Sequence, residues 1–339
     1  MLQRLILPAL VVFALVTFAF AQDKDKDKDK DKDKDAGSGE KCNLVWMFEK
    51  GKTFYQKMTT TTKQDMTVMG NKVNQTQTQT FYFSWTPEEI KDDTVVIKQK
   101  IEGVAMEIDI GGNKINYDST KDTAANNPLG EFFKALVGSE FKITLSVPKD
   151  KEITVTKIEG RDEFLKKLSN ANPQMQPLLN QILSENALKE MAAPTFAALP
   201  NREVDAKGDS KTWKRTSVLD MGPIGKYENA YTYTFEGKDD KGLCKIKVDA
   251  KLTYKEPAEG GAAGSLPFRI KKANLTSKNS TGTILYNPNL GRIDKSTMKL
   301  ELEGDLDIEI GGQVTNVKLS QTQETTVETS DKNYVGPKS

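Results

Sequence analysis

The chain has 339 residues, with 49 basic and 48 acidic side chains, a net charge of +1 and no histidine. That balance provides no large field to draw the chain onto nucleic acid or an anionic membrane. The missing histidine removes the usual base near neutral pH and the commonest zinc ligand, and it excludes Ser-His-Asp and Cys-His catalysis.

Residues 1–21 carry one Arg (Arg4), an apolar stretch from Leu5 to Phe20 and a small-x-small close at Ala19-Phe20-Ala21. This pattern predicts a cleavable secretory signal peptide, cut after Ala21, with no transmembrane span in the mature form. The expected location is the periplasm or the extracellular space. Asp23 to Asp35 alternates seven Asp with six Lys and offers nothing apolar to bury. Residues 22–41 therefore read as a disordered Asp/Lys-rich linker.

From Leu44 onward the pattern is strand. Thr94 to Ile110 is a long strand whose apolar parity switches at Glu102-Gly103, which predicts a β-bulge there. Phe141, Ile143, Leu145 and Val147 alternate with polar residues, as do Tyr227, Tyr231, Tyr233 and Phe235. Cys244 to Tyr254 repeats the alternation. Met298 to Ile310 is the clearest case, with Met298, Leu300, Leu302, Leu306, Ile308 and Ile310 on one side and an acidic row, Glu301 to Glu309, on the other. Gly70-Asn71, Gly111-Gly112 and Gly311-Gly312 sit between alternating runs and suit tight hairpins. Thr59 to Thr62, Gln75 to Thr80 and Gln321 to Thr329 are rich in Thr and Gln, and read as exposed strand faces.

Helical periodicity is confined to one block. Pro128 to Val137, Arg161 to Leu168, Pro173 to Leu183 and Ser184 to Met191 are the predicted helices, with Ser184 as an N-cap. Their apolar stripe predicts that they cover the dry face of a sheet.

An order-preserving echo links two stretches of the chain. The blocks at Lys50 and Lys207, at Met69-Gly70 and Met221-Gly222, at Thr78–Trp85 and Tyr231–Gly237, and at Lys91-Asp92-Asp93 and Lys238-Asp239-Asp240 correspond. This predicts an internal duplication. The expected fold is mainly β (α+β): a long-stranded antiparallel curved sheet with a central helical insertion packed on its apolar face. A first β-meander half would span 42–200, with the insertion at about 128–192. A second half would span 201–330 and a tail 331–339, the halves forming one compact unit.

Chemistry is sparse. There is no phosphate loop, Gly-x-Ser-x-Gly, metal-spaced cluster or dinucleotide fingerprint. No catalytic, cofactor-binding or metal residue is nominated, and the chain reads as a non-enzyme without cofactors. Cys42 and Cys244 can pair in an oxidising compartment or remain two unpaired thiols. Phe81, Phe83 and Trp85 share a strand face, with Met58, Met66 and Val68 on a neighbour. Together with Met106, Met175, Leu179 and Met191 they make a soft, adaptable interior suited to lining an apolar ligand. An ordinary packed core is the alternative.

The blocks KGKTFY, QTQTFYFSW, VVIKQKIEGV, NPLGEFFKALVGSEF, GRDEFLKKL, NPQMQPLL, LKEMAAPTFAALP and LDMGPIGKYENAYTYTFEG resemble an uncharacterised family of exported, planctomycete-type bacterial proteins. The resemblance covers nearly all of Leu44 to Glu328. It implies a secreted β-rich domain and brings no assigned activity. More loosely, the architecture is similar to periplasmic lipoprotein carriers and lipid-binding half-barrels, although those begin with a helix and this chain places its helices centrally. The leading expectation is an exported binding protein or carrier for an apolar ligand such as lipid. A structural or adhesive cell-envelope protein is the second reading, and a carboxylate-based glycan hydrolase the third. The partners implied are a lipid or other apolar small molecule, or an envelope component, and no nucleic acid.

Overall fold

The computed structural model describes residues 40–121, 128–257 and 268–336. The expected signal peptide, its cleavage site and nearly all of the Asp/Lys linker lie outside the described residues. The elements run β1 (Lys41–Leu44), β2 (Phe54–Val68), β3 (Asn71–Lys91), β4 (Thr94–Ile110), β5 (Asn113–Asp118), α1 (Pro128–Leu136), β6 (Glu140–Ser146) and β7 (Thr154–Glu159). Three helices follow, α2 (Arg161–Ala171), α3 (Gln176–Ile182) and α4 (Glu185–Ala197). The rest is strand: β8 (Arg202–Asp205), β9 (Thr212–Asp220), β10 (Lys226–Lys238), β11 (Cys244–Lys255), β12 (Phe268–Asn287), β13 (Arg292–Ile310) and β14 (Gln313–Ser330).

One 12-stranded sheet holds nearly all of these strands, in the order β7-β6-β4-β3-β2-β14-β13-β12-β11-β10-β9, with β5 beside β4. Its pairings are antiparallel. The first and last long strands, β2 and β14, meet in the middle and join the two halves of the chain into one sheet. Alternation dictates the faces. In β13 the predicted Met and Leu row is inward, and the acidic row is exposed or half-buried.

The bulge falls where parity predicted it. Tyr82 faces Gly103 and Phe83 faces Ile101, so Glu102 is the extra residue. It lets Ile97 and Ile101 share a face with Val104, Met106 and Ile108. The same point divides the strand between partners, β6 on one side and β5 on the other. Gly138 donates its N–H to Ile101 O at 2.8 Å there, so the chain leaving α1 re-enters the sheet at the bulge.

The three hairpins are two-residue turns with positive φ at both centres. One differs from expectation. Val68 pairs with Asn71, so the first turn is centred on Met69-Gly70 rather than Gly70-Asn71, and Met69 is held at φ 52°. Helix bounds also shift. α4 runs on to Ala197 through Pro194, and Pro173–Met175 is a 3₁₀ turn leading into α3. Ser184 caps α4 as expected, accepting the Ala187 N–H at 3.2 Å.

The echoing blocks fall at matching positions of two meanders, β2-β3-β4 and β9-β10-β11, including the turns between their strands. Their registers are not the same: Phe54 faces Trp85, whereas Trp213 faces Tyr233.

Curvature brings the edges of the sheet together. α4 packs against both edge strands, β7 and β9. Ser217 on β9 donates its hydroxyl to Glu190 Oε2 on α4 at 2.6 Å, and Trp213 Nε1 donates to Ala198 O at 3.0 Å. Arg215, an inward-pointing charge on the edge strand, reaches Glu152 beside β7 at 2.9 Å. The seam is thus spanned by a helix and by polar contacts rather than by a β-ladder.

One end of the curl is stoppered. Trp46, in the segment between β1 and β2, stacks on Phe48 at 5.6 Å and meets Phe196 of α4 at 5.4 Å. Its Nε1 donates to Phe196 O at 3.1 Å, and Phe196 meets Trp85 edge-on at 5.3 Å. Tyr286 on β12 donates its hydroxyl to Val45 O at 2.6 Å. Cys42 and Cys244 form a disulfide, Cα–Cα 6.5 Å, which ties β1 to the start of β11 across 202 residues.

Candidate functional site

The concave face of β3, β2 and β14 carries the most unusual chemistry in the fold. Three cross-strand rows run over it. Gln79, Thr60 and Thr325 form one, Gln77, Thr62 and Gln323 the next, and Gln75, Gln64 and Gln321 the third. None of these nine side chains is more than 2–3 % exposed. The rows end on apolar residues at both sides: Met106, Ile108 and Ile110 on β4, and Met298, Leu300 and Leu302 on β13. Along the strands they are bounded by Phe81 and Met58 in one direction and by Met66 and Leu319 in the other.

This overturns the expectation that the Thr/Gln-rich segments are exposed faces. One parity is buried through most of each stretch, and the other is exposed or half-buried apart from Thr80. The signal was present. Gln75, Gln77 and Gln79 share parity with Phe81, Phe83 and Trp85, and Thr60, Thr62 and Gln64 share it with Phe54, Met66 and Val68. Extending the apolar parity through each polar stretch would have placed these residues inside. Met66 and Val68 do lie on the neighbour of β3, but beyond the polar rows, opposite Val73 and Asn71.

Some of the block bonds internally. Gln64 Nε2 donates to Gln321 Oε1 at 2.6 Å, and the Thr60 and Thr325 hydroxyls lie 2.8 Å apart. Other atoms find no partner among the described residues: Gln64 Oε1, both amide atoms of Gln75, Gln77 Oε1, Gln79 Oε1 and Gln321 Nε2. A buried polar atom left unpaired costs about 1–3 kcal/mol, and native structures hold few of them. Six of them lie on this one patch, while Trp85 Nε1, Asn201 Oδ1, Arg215 Nη1, Tyr233 Oη and Arg292 Nε lack a partner elsewhere among the described residues.

Between this block and the stopper lies the aromatic row expected from the sequence. Phe81 and Phe83 stack at 5.8 Å, and Phe83 and Trp85 meet at 6.1 Å. Met106 stands opposite Gln79. Leu179 belongs to the same hydrophobic cluster, and Met175 and Met191 pack against it. These three come from the helical side, where α3 lies beside α2 and the 3₁₀ turn Gly222–Ile224, and α4 spans the seam.

The opposite wall is phenolic. Tyr227, Tyr231 and Tyr233 on β10, Tyr254 on β11 and Tyr286 on β12 are all buried. Burial pushes each phenol above its ordinary value, that of Tyr286 to about 12. Tyr254 donates its hydroxyl to Ile224 O at 2.5 Å. On the outer face of the central strands lies a groove of about 530 Å³ of mixed charge, lined by Asp65, Lys72, Glu303, Asp305 and Lys318. Among the described residues no group of three or more Cys, Asp or Glu is placed to hold a metal ion, and no helix is long and apolar enough to cross a membrane.

A family model described as a family of unknown function, DUF6263, matches residues 92–310. No curated protein matches the chain. Among solved structures the chain is similar to one described by lipid–protein interactions in lipovitellin, with 11% identity over 86% of this chain and a TM-score of 0.38. It spans 27% of that chain. It is also similar to an outer membrane channel from Pseudomonas putida F1, with 8% identity, 88% of this chain, 100% of that chain and a TM-score of 0.26. A third is the translocator domain of the autotransporter NalP from Neisseria meningitidis, with 7% identity, 83% of this chain, 88% of that chain and a TM-score of 0.22. These likenesses are distant.

Proposed function

The chain belongs to DUF6263, a family of unknown function, and we propose that it is an exported, non-enzymatic binding protein that holds an apolar small molecule such as a lipid inside its curled sheet. The observation that carries this reading is the cluster of unpaired buried amides on the concave face, flanked on β4 and β13 by apolar side chains. An interior evolved for packing alone gains nothing from them, because each opposes folding until something bonds to it. A guest supplies that partner. The adjoining row of Phe81, Phe83 and Trp85, with Met106 beside it, is a deformable apolar surface for the rest of the guest.

Export is supported by the leader pattern of residues 1–21 and by the Cys42–Cys244 disulfide, which suits an oxidising compartment. The seam is the natural way in. At α4 the sheet edges are bridged by side-chain contacts, which separate at lower cost than a continuous β-ladder.

The test is titration with an apolar fluorophore such as N-phenyl-1-naphthylamine, excited through the tryptophans. Saturable binding with quenching of tryptophan emission, reversed by added lipid, supports the reading. Absence of saturable binding by disulfide-bonded protein contradicts it and favours an envelope structural or adhesive role.

A further inference from the structure

The block of glutamine and threonine side chains defines what kind of polar group the guest carries. We infer that it is a head-group subsite for an uncharged, hydroxyl-rich moiety of the glycerol or sugar class, the hydrocarbon part of the same molecule lying along Phe81, Phe83 and Trp85. This rests on the binding reading above and narrows it.

Charge excludes one class of head. All nine side chains of the three rows are neutral, and the residues flanking them on β4 and β13 are Met106, Ile108, Ile110, Met298, Leu300 and Leu302. A carboxylate or phosphate buried there would have no counter-charge. The inward-pointing Arg215 stands on the edge strand, away from the three rows; its Nε meets Glu152 at 2.9 Å and its Nη1 has no partner among the described residues.

Hydrogen-bond balance excludes another. The free atoms include the carbonyl oxygens of Gln64, Gln75, Gln77 and Gln79, which need donors, and the amide nitrogens of Gln75 and Gln321, which need acceptors. An ester accepts only, and a hydrocarbon does neither. Hydroxyl groups do both. Three rows on three strands cover about 10 Å across the strands and about 14 Å along them, the scale of a glycerol or a sugar ring with its substituents.

The experiment compares three probes with one 12-carbon chain on mature, disulfide-bonded protein at pH 8: 1-monolaurin, methyl laurate and lauric acid. Affinities are read by calorimetry below the concentration at which each probe self-associates. The expected result is that monolaurin binds at least tenfold tighter than either of the others. In Gln75→Leu and Gln77→Leu that preference falls at least tenfold, while Thr76→Val, on the outer face, retains it. Melting temperatures accompany every variant. The wild-type ranking alone decides the matter if a variant does not fold.

Equal binding of all three probes, or a preference for lauric acid, leaves the binding reading standing and overturns the head-group subsite. A monolaurin preference that survives in folded Gln75→Leu and Gln77→Leu also overturns the subsite. No binding of any probe overturns both.

Discussion

Gln64 on β2 donates its side-chain amide to Gln321 Oε1 on β14 at 2.6 Å, between buried partners 257 residues apart. The bond lies where the two halves of the chain meet in the sheet. Each amide still has an unpaired atom, so the junction is cross-linked by hydrogen bonding yet chemically unfinished. That combination connects the fold to the proposed guest.

Gln75 stands directly opposite Gln64 on β3, and neither of its amide atoms has a partner. Gln75→Leu is therefore expected to stabilise the unliganded protein by about 1–3 kcal/mol, since it removes unpaired buried groups and adds apolar packing. Urea denaturation measures it. A loss of stability would mean that Gln75 is hydrogen-bonded in the folded state.

Met69 occupies a positive-φ position in a two-residue turn and is 56% exposed. Asn tolerates this conformation far better than an unbranched apolar residue. Met69→Asn is expected to raise stability by about 0.5–1 kcal/mol without altering binding. Thermal melts of the two proteins check this.

Reducing the Cys42–Cys244 bridge releases β1 and, with it, the segment carrying Trp46 over the stoppered end. The expected cost is about 2–5 kcal/mol. Cys42→Ser and Cys244→Ser should each reproduce it and shift tryptophan emission to longer wavelength as the stopper loosens. Unchanged stability would show that the stopper holds without its covalent tie.

Stability should also fall on the alkaline side. Tyr227, Tyr231, Tyr233, Tyr254 and Tyr286 all have folded-state values raised by burial above the ordinary value near 10. An acid raised on folding contributes stability that is present below its unfolded pKa and is lost as pH climbs through it. Each such tyrosine steepens the loss by about 1.4 kcal/mol per pH unit above roughly pH 10. With no histidine in the chain, little change is expected between about pH 6 and 9. Denaturation midpoints at pH 7, 9 and 10.5 test both statements.

The sequence made legible those features with an internal contrast. The acidic and apolar sides of β13, the bulge at Glu102 and the Ser184 cap each follow from a local pattern. In the Thr/Gln stretches both faces are polar, so the contrast that decides which face goes in lies outside them, in the parity of the flanking apolar residues. The turn at Met69-Gly70 lies one residue before Gly70-Asn71, which is itself an attractive turn pair, so the local pattern does not separate the two. The meeting of β2 with β14, the approach of β7 and β9 to α4, and the proximity of the cysteines are long-range facts that no local pattern carries.

The most direct test of the central claim is native mass spectrometry of mature protein purified from an oxidising compartment, followed by organic extraction and lipid analysis. A recurrent added mass that extracts as a neutral, hydroxyl-bearing lipid, and that is lost in Gln75→Leu, is the predicted result. A clean unliganded mass, unchanged after incubation with envelope lipids, would contradict the account.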